Sequence, residues 1–441
     1  MRPDAFDDDE FLLLPEVVLL PGGPVRGWAA VVSHGEFAMV GEADAVAAAH
    51  PGLRPVHLDR HLLMPGFVDA HHHLTQTFGK ALAFGEPSEI FRRIWVPLEQ
   101  QLTEESAHVA AKLAAFESLR GGFTTVAEAG TRAPVDLASV AQGVDEAGLR
   151  CVLGAVCEDP ESAERHLNRW DSPLLHPSLA IPTPGHVPDD VLRELAQLCR
   201  DSAAVLQIHV NEHLASVERS LEQHGLRPLE HLDEIGALGP QTLGAHATLL
   251  TPGEIRLLAE TGAAISYNPV ASAWKGNAVA PATLLSALGV RFGIGTDGTR
   301  GDGFRLVDAA EFAQRIASGL ATGDSSCGGG WTWLQRAISG DAVGLDRIGR
   351  IETGCLADFL LVDLDVPELR PSWDLPWELV RLANRDQITA VFVGGRLRLW
   401  RGWPVDWDGR ELLERGEELA REVVAAAPLH RVHPRSTEVR A

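Results

Sequence analysis

The segments AVLQIHV (204–210), TLGAHAT (242–248), AAISYNP (263–269) and VRFGIGTD (290–297) decide the fold. Each is a short apolar run that closes on or beside polar, chemistry-bearing residues. Each suits a strand covered on both faces, as in a parallel sheet. Toward the N-terminus the same pattern recurs in LMPGFVDA (63–70), FTTVAEAG (123–130), RCVLGAVC (150–157) and SLAIPTP (178–184). Between these runs lie amphipathic stretches with helix start signals. TEESAHVAAKLAAFESLRGG (103–122) and TPGEIRLLAETGA (251–263) each place a threonine before a glutamate-bearing first turn and close on glycine. Eight strands alternating with helices predict an α/β fold, a TIM-type (β/α)8 barrel.

The flanks read differently. VVLL, WAAVVS and EFAMVG near the N-terminus, and FLLVDLD, ITAVFVGG and LRLWRGWP after about residue 350, are β-like runs broken by glycine and proline. Two such segments at opposite chain ends are expected to pair into one small β-sandwich domain, residues 1–64 with 346–410, beside a barrel at 65–345. The stretch GRELLERGEELAREVVAAA (409–427) is helical at 3.6 spacing, so 411–441 reads as a C-terminal helix and a frayed tail.

Composition narrows the function. The chain has 441 residues, 45% hydrophobic, with a formal charge of −23. A surface that acidic repels phosphate backbones and anionic lipid, so nucleic-acid and membrane partners are not expected. No apolar run approaches a membrane span and the acidic N-terminus lacks a basic leader, so a cytoplasmic location is expected. Five cysteines without CxxC spacing read as reduced core thiols.

Catalytic groups of such barrels sit at the C-terminal strand ends. Read in order, those ends carry His71, His72 and His73, then His209 with Glu212, His246, Tyr267 with Asn268, and Asp297. In an extended segment His71 and His73 face one side and His72 the other. Singly these signals are weak: His209 reads equally well as a satisfied core histidine and Asp297 as a turn residue. Jointly they form four potential nitrogen and oxygen ligands at one barrel mouth, with two further acid–base groups. Three histidines and an aspartate suit one divalent metal ion, Zn²⁺ or else Fe²⁺, with a position left open for water.

MPGFVDAHHHL (64–74), HVNE (209–212), GAH (244–246), NPV (268–270) and GTDG (295–298), in this order, resemble the amidohydrolase superfamily and, more narrowly, its aminohydrolase (deaminase) branch. GRIETGCLADFLLVD (349–363) and VFVGGRL (391–397) resemble its C-terminal signature. Members with two metals carry a carboxylated lysine on strand four. SLAIPTPG (178–185) has none, and Lys80, Lys112 and Lys275 are not at a strand end of that kind, so one metal is expected. The resemblance makes His71, His73, His209 and Asp297 the metal ligands. Asp297 would take the proton of the attacking water, Glu212 would carry a proton to a ring nitrogen, and His246 would steady the water. It implies hydrolytic deamination of a nitrogen heterocycle (purine, pterin or pyrimidine-like), with a homo-oligomer, a dimer, as the assembly. Hydrolysis of another leaving group, on a triazine or a cyclic amide, is the alternative within the fold, and a non-catalytic scaffold the alternative outside it.

Substrate contacts are read from four residues. HHHLTQTFGKA (71–81) resembles the first loop of deaminases in which the glutamine binds a ring carbonyl, which makes Gln76 a candidate; His186 follows strand four; Arg300, three residues past Asp297, suits an anionic or carbonyl-bearing substrate. Tyr267 stands where such deaminases often carry histidine. Its hydroxyl is read either as a substrate contact or as ordinary packing. Phe91 and Trp95 are candidates for the pocket wall.

Overall fold

The computed structural model describes residues 2–86, 90–323 and 326–432. The frayed tail expected at the C-terminus lies largely outside them. Eight parallel strands form the predicted barrel: Phe67–His72, Phe123–Glu128, Arg150–Ala155, Leu175–Ile181, Leu206–Val210, Thr242–His246, Ala264–Tyr267 and Phe292–Ile294, each paired with the next. The last strand does not form a continuous ladder with the first. The seam is closed instead by the Asp297 amide donating to the His71 carbonyl at 2.8 Å and by the buried Asp69 carboxylate. Asp69 accepts from the Thr296 amide at 2.8 Å and from its hydroxyl at 2.5 Å. Closure and site therefore share residues.

The helix signals were correctly placed. Thr103 caps Glu104–Arg120 through a reciprocal pair with Ser106, and Thr251 caps Pro252–Thr261 through one with Glu254. Gly262, at φ +71°, ends the second helix in the left-handed region open to glycine. The C-terminal helix Gly409–Ala426 begins at an Asp408 cap. Just before it, the Trp407 ring packs edge-on to Phe116 of Glu104–Arg120, with centroids 5.2 Å apart.

The flanking segments hydrogen-bond into one nine-stranded mixed sheet. Its order is Trp403–Pro404, Arg396–Trp400, Ile388–Val393, Phe359–Asp363, Pro55–Pro65, Glu10–Leu20, Trp28–Ser33 and Glu36–Glu42, with Gly23–Arg26 added on Glu10–Leu20. Phe37 and Phe359 lie four strands apart in that order, which in a flat sheet means roughly 19 Å at about 4.8 Å per strand. Their ring centroids are 5.6 Å apart. The sheet therefore curls on itself, and its inner face encloses Phe11, Phe37, Phe359 and Phe392 as the two layers of a sandwich would. Arg150, at the start of the third barrel strand, holds this domain by a two-pronged buried pair with Asp358, at 2.6 and 2.9 Å. The five cysteines are buried and unpaired. Among the described residues no helix is long and apolar enough to cross a membrane.

Candidate active site

The strand ends turn sharply inward. Asn211, His246, Ala247 and Asp297 all take positive φ, between 49° and 74°. Non-glycine residues rarely adopt this conformation, which commonly marks functional positions. It ends each strand abruptly and directs His246 and Asp297 into the mouth. Gly295 makes the approach possible. A Cβ there would stand 2.3 Å from Asn268 Oδ1, 2.5 Å from Ser266 Oγ and 3.0 Å from the His71 Cβ.

Imidazoles and carboxylates meet in this space. Asp297 Oδ1 lies 3.4 Å from both His71 Nε2 and His73 Nε2. The His209 ring centroid is 4.8 Å from that of His71 and 5.5 Å from that of His73. Ligand atoms of His71, His73 and Asp297 lie within 4.8 Å of one another, as do those of His71, His209 and His246 and those of Glu212, His246 and Asp297. His71 thus links the aspartate side of the cluster to His209. Tetrahedral bonds of about 2.0–2.1 Å imply ligand separations of roughly 3.3 Å, which the His71, His73 and Asp297 spacing matches. His71 Nε2 is buried with no hydrogen-bond partner, an atom aimed at something it lacks within the chain. Burial beside other imidazoles holds His73 and His209 well below the usual imidazole range. They are neutral at physiological pH and available as ligands. The residues fit a divalent ion.

His246 is set apart from the ligands by its neighbours. The Ser266 hydroxyl donates to Asn268 Oδ1 at 2.7 Å, which orients the amide so that Nδ2 donates to His246 Nδ1 at 3.2 Å. The proton of the neutral ring then sits on Nε2, which is buried and unpartnered at the mouth, 3.7 Å from Glu212 Oε1. Burial pulls His246 down to about 4, against the opposing charges of Glu212 and Asp297. It is a neutral donor.

Both acids are ionised. Burial works to raise the Glu212 carboxyl, but the nearby His246 imidazole, the Lys275 ammonium and a hydrogen bond from His213 hold it well below the usual carboxylate range. Asp297 behaves alike: Lys275 and His71 outweigh burial. Lys275, the last residue of the helix Pro269–Lys275, donates to Asp297 Oδ2 at 2.5 Å and to Glu212 Oε1 at 2.9 Å. Sequence reasoning set this lysine aside because it is on no strand; a short helix leaving the seventh strand nevertheless returns its side chain to the mouth. His213, which also escaped notice, reaches Glu212 Oε1 at 3.2 Å.

Asp69 was missed as well, though two-residue alternation counted back from His71 finds it. It receives His72 Nδ1 at 2.9 Å, which holds His72 out of the ligand cluster. Glu128, at the end of the second strand, accepts from the Leu74 amide at 2.7 Å, and burial pushes its carboxyl up to about 7.

Three of the four expected substrate contacts lie elsewhere. Tyr267 is fully buried; its hydroxyl donates to the Ala310 carbonyl at 3.1 Å and accepts from Gln314 at 3.1 Å. The reason is phase: Ser266 and Asn268 face the mouth, so the residue between them faces the helix layer. His186, exposed on the loop after the fourth strand, has its Nε2 3.9 Å from Glu158 Oε1. Arg300 is exposed, and its charged neighbours are Arg305, Asp302, Arg385 and Glu117, none of them in the cluster. Gln76 is buried beneath the first loop, its amide 3.4 Å from Glu99 Oε1. Trp95 packs into a small core with Ile90 and Ile94, and half-exposed Phe91 lies under the Arg132 guanidinium.

A 5-methylthioadenosine/S-adenosylhomocysteine deaminase of Nitratidesulfovibrio vulgaris is 30% identical over 414 residues, 88% of this chain and 91% of that protein. A 5'-deoxyadenosine deaminase of Methanopyrus kandleri is 28% identical over 83% of this chain and 88% of its own length. A crystal structure of an adenosine deaminase from Xanthomonas campestris with bound zinc superimposes with a TM-score of 0.85 at 26% identity, covering 94% of this chain and 98% of that one. A guanine deaminase from C. acetobutylicum, at 18% identity and a TM-score of 0.77 over 88% of this chain and 99% of that one, shares the fold. The sequence model described as Amidohydrolase family matches residues 62–398, from the strand before His71 to the second β segment. With that match over most of its length, the chain belongs to the amidohydrolase family.

Proposed function

We propose that this protein is a metal-dependent hydrolytic deaminase of an adenine nucleoside, replacing the exocyclic amine with oxygen and releasing ammonia. The observation that carries the reading is the convergence of Glu212, His246 and Asp297 on the histidine cluster at one barrel mouth. The substrate class follows the names of the two deaminase relatives given above.

His71, His73, His209 and Asp297 would hold one divalent ion, zinc in preference to iron. Such an ion, when bound, supplies Lewis acidity and lowers the pKa of water toward neutrality. The chain's own groups do the rest. Asp297, ionised, accepts a proton from the water that adds to the amine-bearing carbon. Glu212, ionised at rest, takes that proton over from Asp297, whose ligand atoms lie within 4.8 Å of its own, and delivers it to the adjacent ring nitrogen, so that the C=N bond takes up water. His246 donates from Nε2 to the oxygen as its charge develops. As the tetrahedral carbon collapses, Asp297 takes the remaining hydroxyl proton and passes it to the amine, which leaves as ammonia. Each positioned proton transfer is worth roughly 10²–10⁴-fold.

The test is ammonia release by the zinc-loaded protein from 5'-methylthioadenosine, S-adenosylhomocysteine, 5'-deoxyadenosine and adenosine, with guanine and cytosine alongside. Turnover of adenine nucleosides is expected. Ammonia from none of the set, or release of chloride from a chlorotriazine instead, contradicts the proposal.

A further inference from the structure

A second cluster of metal-ligating side chains lies outside the catalytic one and shares no residue with it. Asp189 opens the helix Asp189–Asp201 after the fourth strand, His224 closes the helix Leu214–His224 after the fifth, and His231 lies on the next helix, Pro228–Glu234. Asp189 starts a helix that leaves the mouth, so the cluster sits on the mouth rim. Leu214–His224 therefore begins beside Glu212 and also ends at that rim.

The ligand atoms of the three lie within 4.8 Å of one another. Asp189 Oδ1 is 3.1 Å from His231 Nε2, and the two imidazoles stack at 3.7 Å with their planes 18° apart. A spacing near 3.3 Å is again what a tetrahedral ion requires. His231 is 2% exposed, and neither of its ring nitrogens makes a hydrogen bond. A buried imidazole with both nitrogens unsatisfied is rare in a finished site and calls for a partner. The Asp189 oxygen, close but not aligned as an acceptor, does not serve as one.

We propose that Asp189, His224 and His231 form a second divalent-metal site that takes a borderline transition ion such as Zn²⁺, Co²⁺ or Ni²⁺. Two imidazoles and one carboxylate favour these ions over Mg²⁺ and Ca²⁺, which prefer oxygen ligands. The Asp189 side chain is 41% exposed, so the remaining positions open to water and the ion exchanges with solvent. Binding tilts the His224 ring out of its stack, because two nearly parallel rings cannot both aim a lone pair at one ion. The ion then ties the loop that follows the fourth strand to the helix that follows Glu212.

The proposal stands whether or not the deaminase reading holds, because its readout is metal binding alone. Full-length protein is freed of metal with a chelator and titrated calorimetrically with Zn²⁺, and separately with Co²⁺. Wild type should bind two equivalents in two classes. His224→Ala and Asp189→Asn, both at partly exposed positions, should each lose the weaker equivalent and keep the tighter one. The extra thermal stabilisation that wild type gains from excess Zn²⁺ should disappear in both. A wild type that binds one equivalent, or a second equivalent that survives in both variants, overturns it.

Discussion

Lys275→Met tests how the two acids of the site are held. The ammonium partners Asp297 at 2.5 Å and Glu212 at 2.9 Å, with the three side chains 12%, 5% and 17% exposed. Removing one member of a buried ionic cluster typically costs about 3–5 kcal/mol, since the remaining charges stay buried without it. Here Glu212 keeps His213 at 3.2 Å and Asp297 keeps His71 and His73 at 3.4 Å, so a loss near the low end, about 3 kcal/mol, is expected. With a divalent ion bound, that ion answers the charge of Asp297 and only the Glu212 contact is lost, about 1.5 kcal/mol for a hydrogen bond to a charged group. Around the thermodynamic cycle the difference appears as metal affinity: Lys275→Met should bind Zn²⁺ about tenfold more tightly. Urea unfolding of the chelator-treated proteins gives the first quantity and competition with a chromogenic chelator the second. Unchanged metal-free stability, or weaker zinc binding in the variant, would refute the argument.

Other outcomes follow from single contacts. Asp69→Ala removes the carboxylate that joins the first and eighth strands; the unfolding free energy should fall by about 3–5 kcal/mol, and full stability in urea would show that the seam closes without it. Burial raises the Glu128 carboxyl from its ordinary value of 4.5 to about 7. The folded state thus keeps a proton that the unfolded chain has released, and this contribution is complete below about pH 4.5 and lost as pH rises through about 7. Wild-type stability relative to Glu128→Gln should decline by about 3 kcal/mol between pH 4.5 and 7.5, and parallel stability profiles for the two proteins would contradict this. Tyr267→Phe should lower stability by about 0.5–1.5 kcal/mol with kcat and KM unchanged, because its hydroxyl meets Ala310 and Gln314; a raised KM would return it to the substrate.

The barrel was legible because buried parallel strands leave apolar runs, and the site because those runs end on His71, His73, His209, His246 and Asp297. Errors arose where the same rule was applied incompletely. Alternation explains the HxH pair, and carried one step further it also brings in Asp69 and turns Tyr267 outward. Lys275 was illegible for another reason: its position depends on how a seven-residue helix packs back over the mouth, which no local pattern records. His186 and Arg300 sit on loops, whose paths carry no periodicity. The curl that makes one sheet enclose its own core is likewise a property of the assembled strands.

The most direct test of the catalytic account is Glu212→Gln, measured for zinc content and for ammonia release from an adenine nucleoside. The amide keeps the shape of the side chain and lies outside the ligand set, so the variant should retain the tightly bound zinc equivalent. It cannot shuttle a proton, so turnover should fall by roughly 10²–10⁴-fold. A variant that keeps both its zinc and its rate would contradict proton transfer through Glu212.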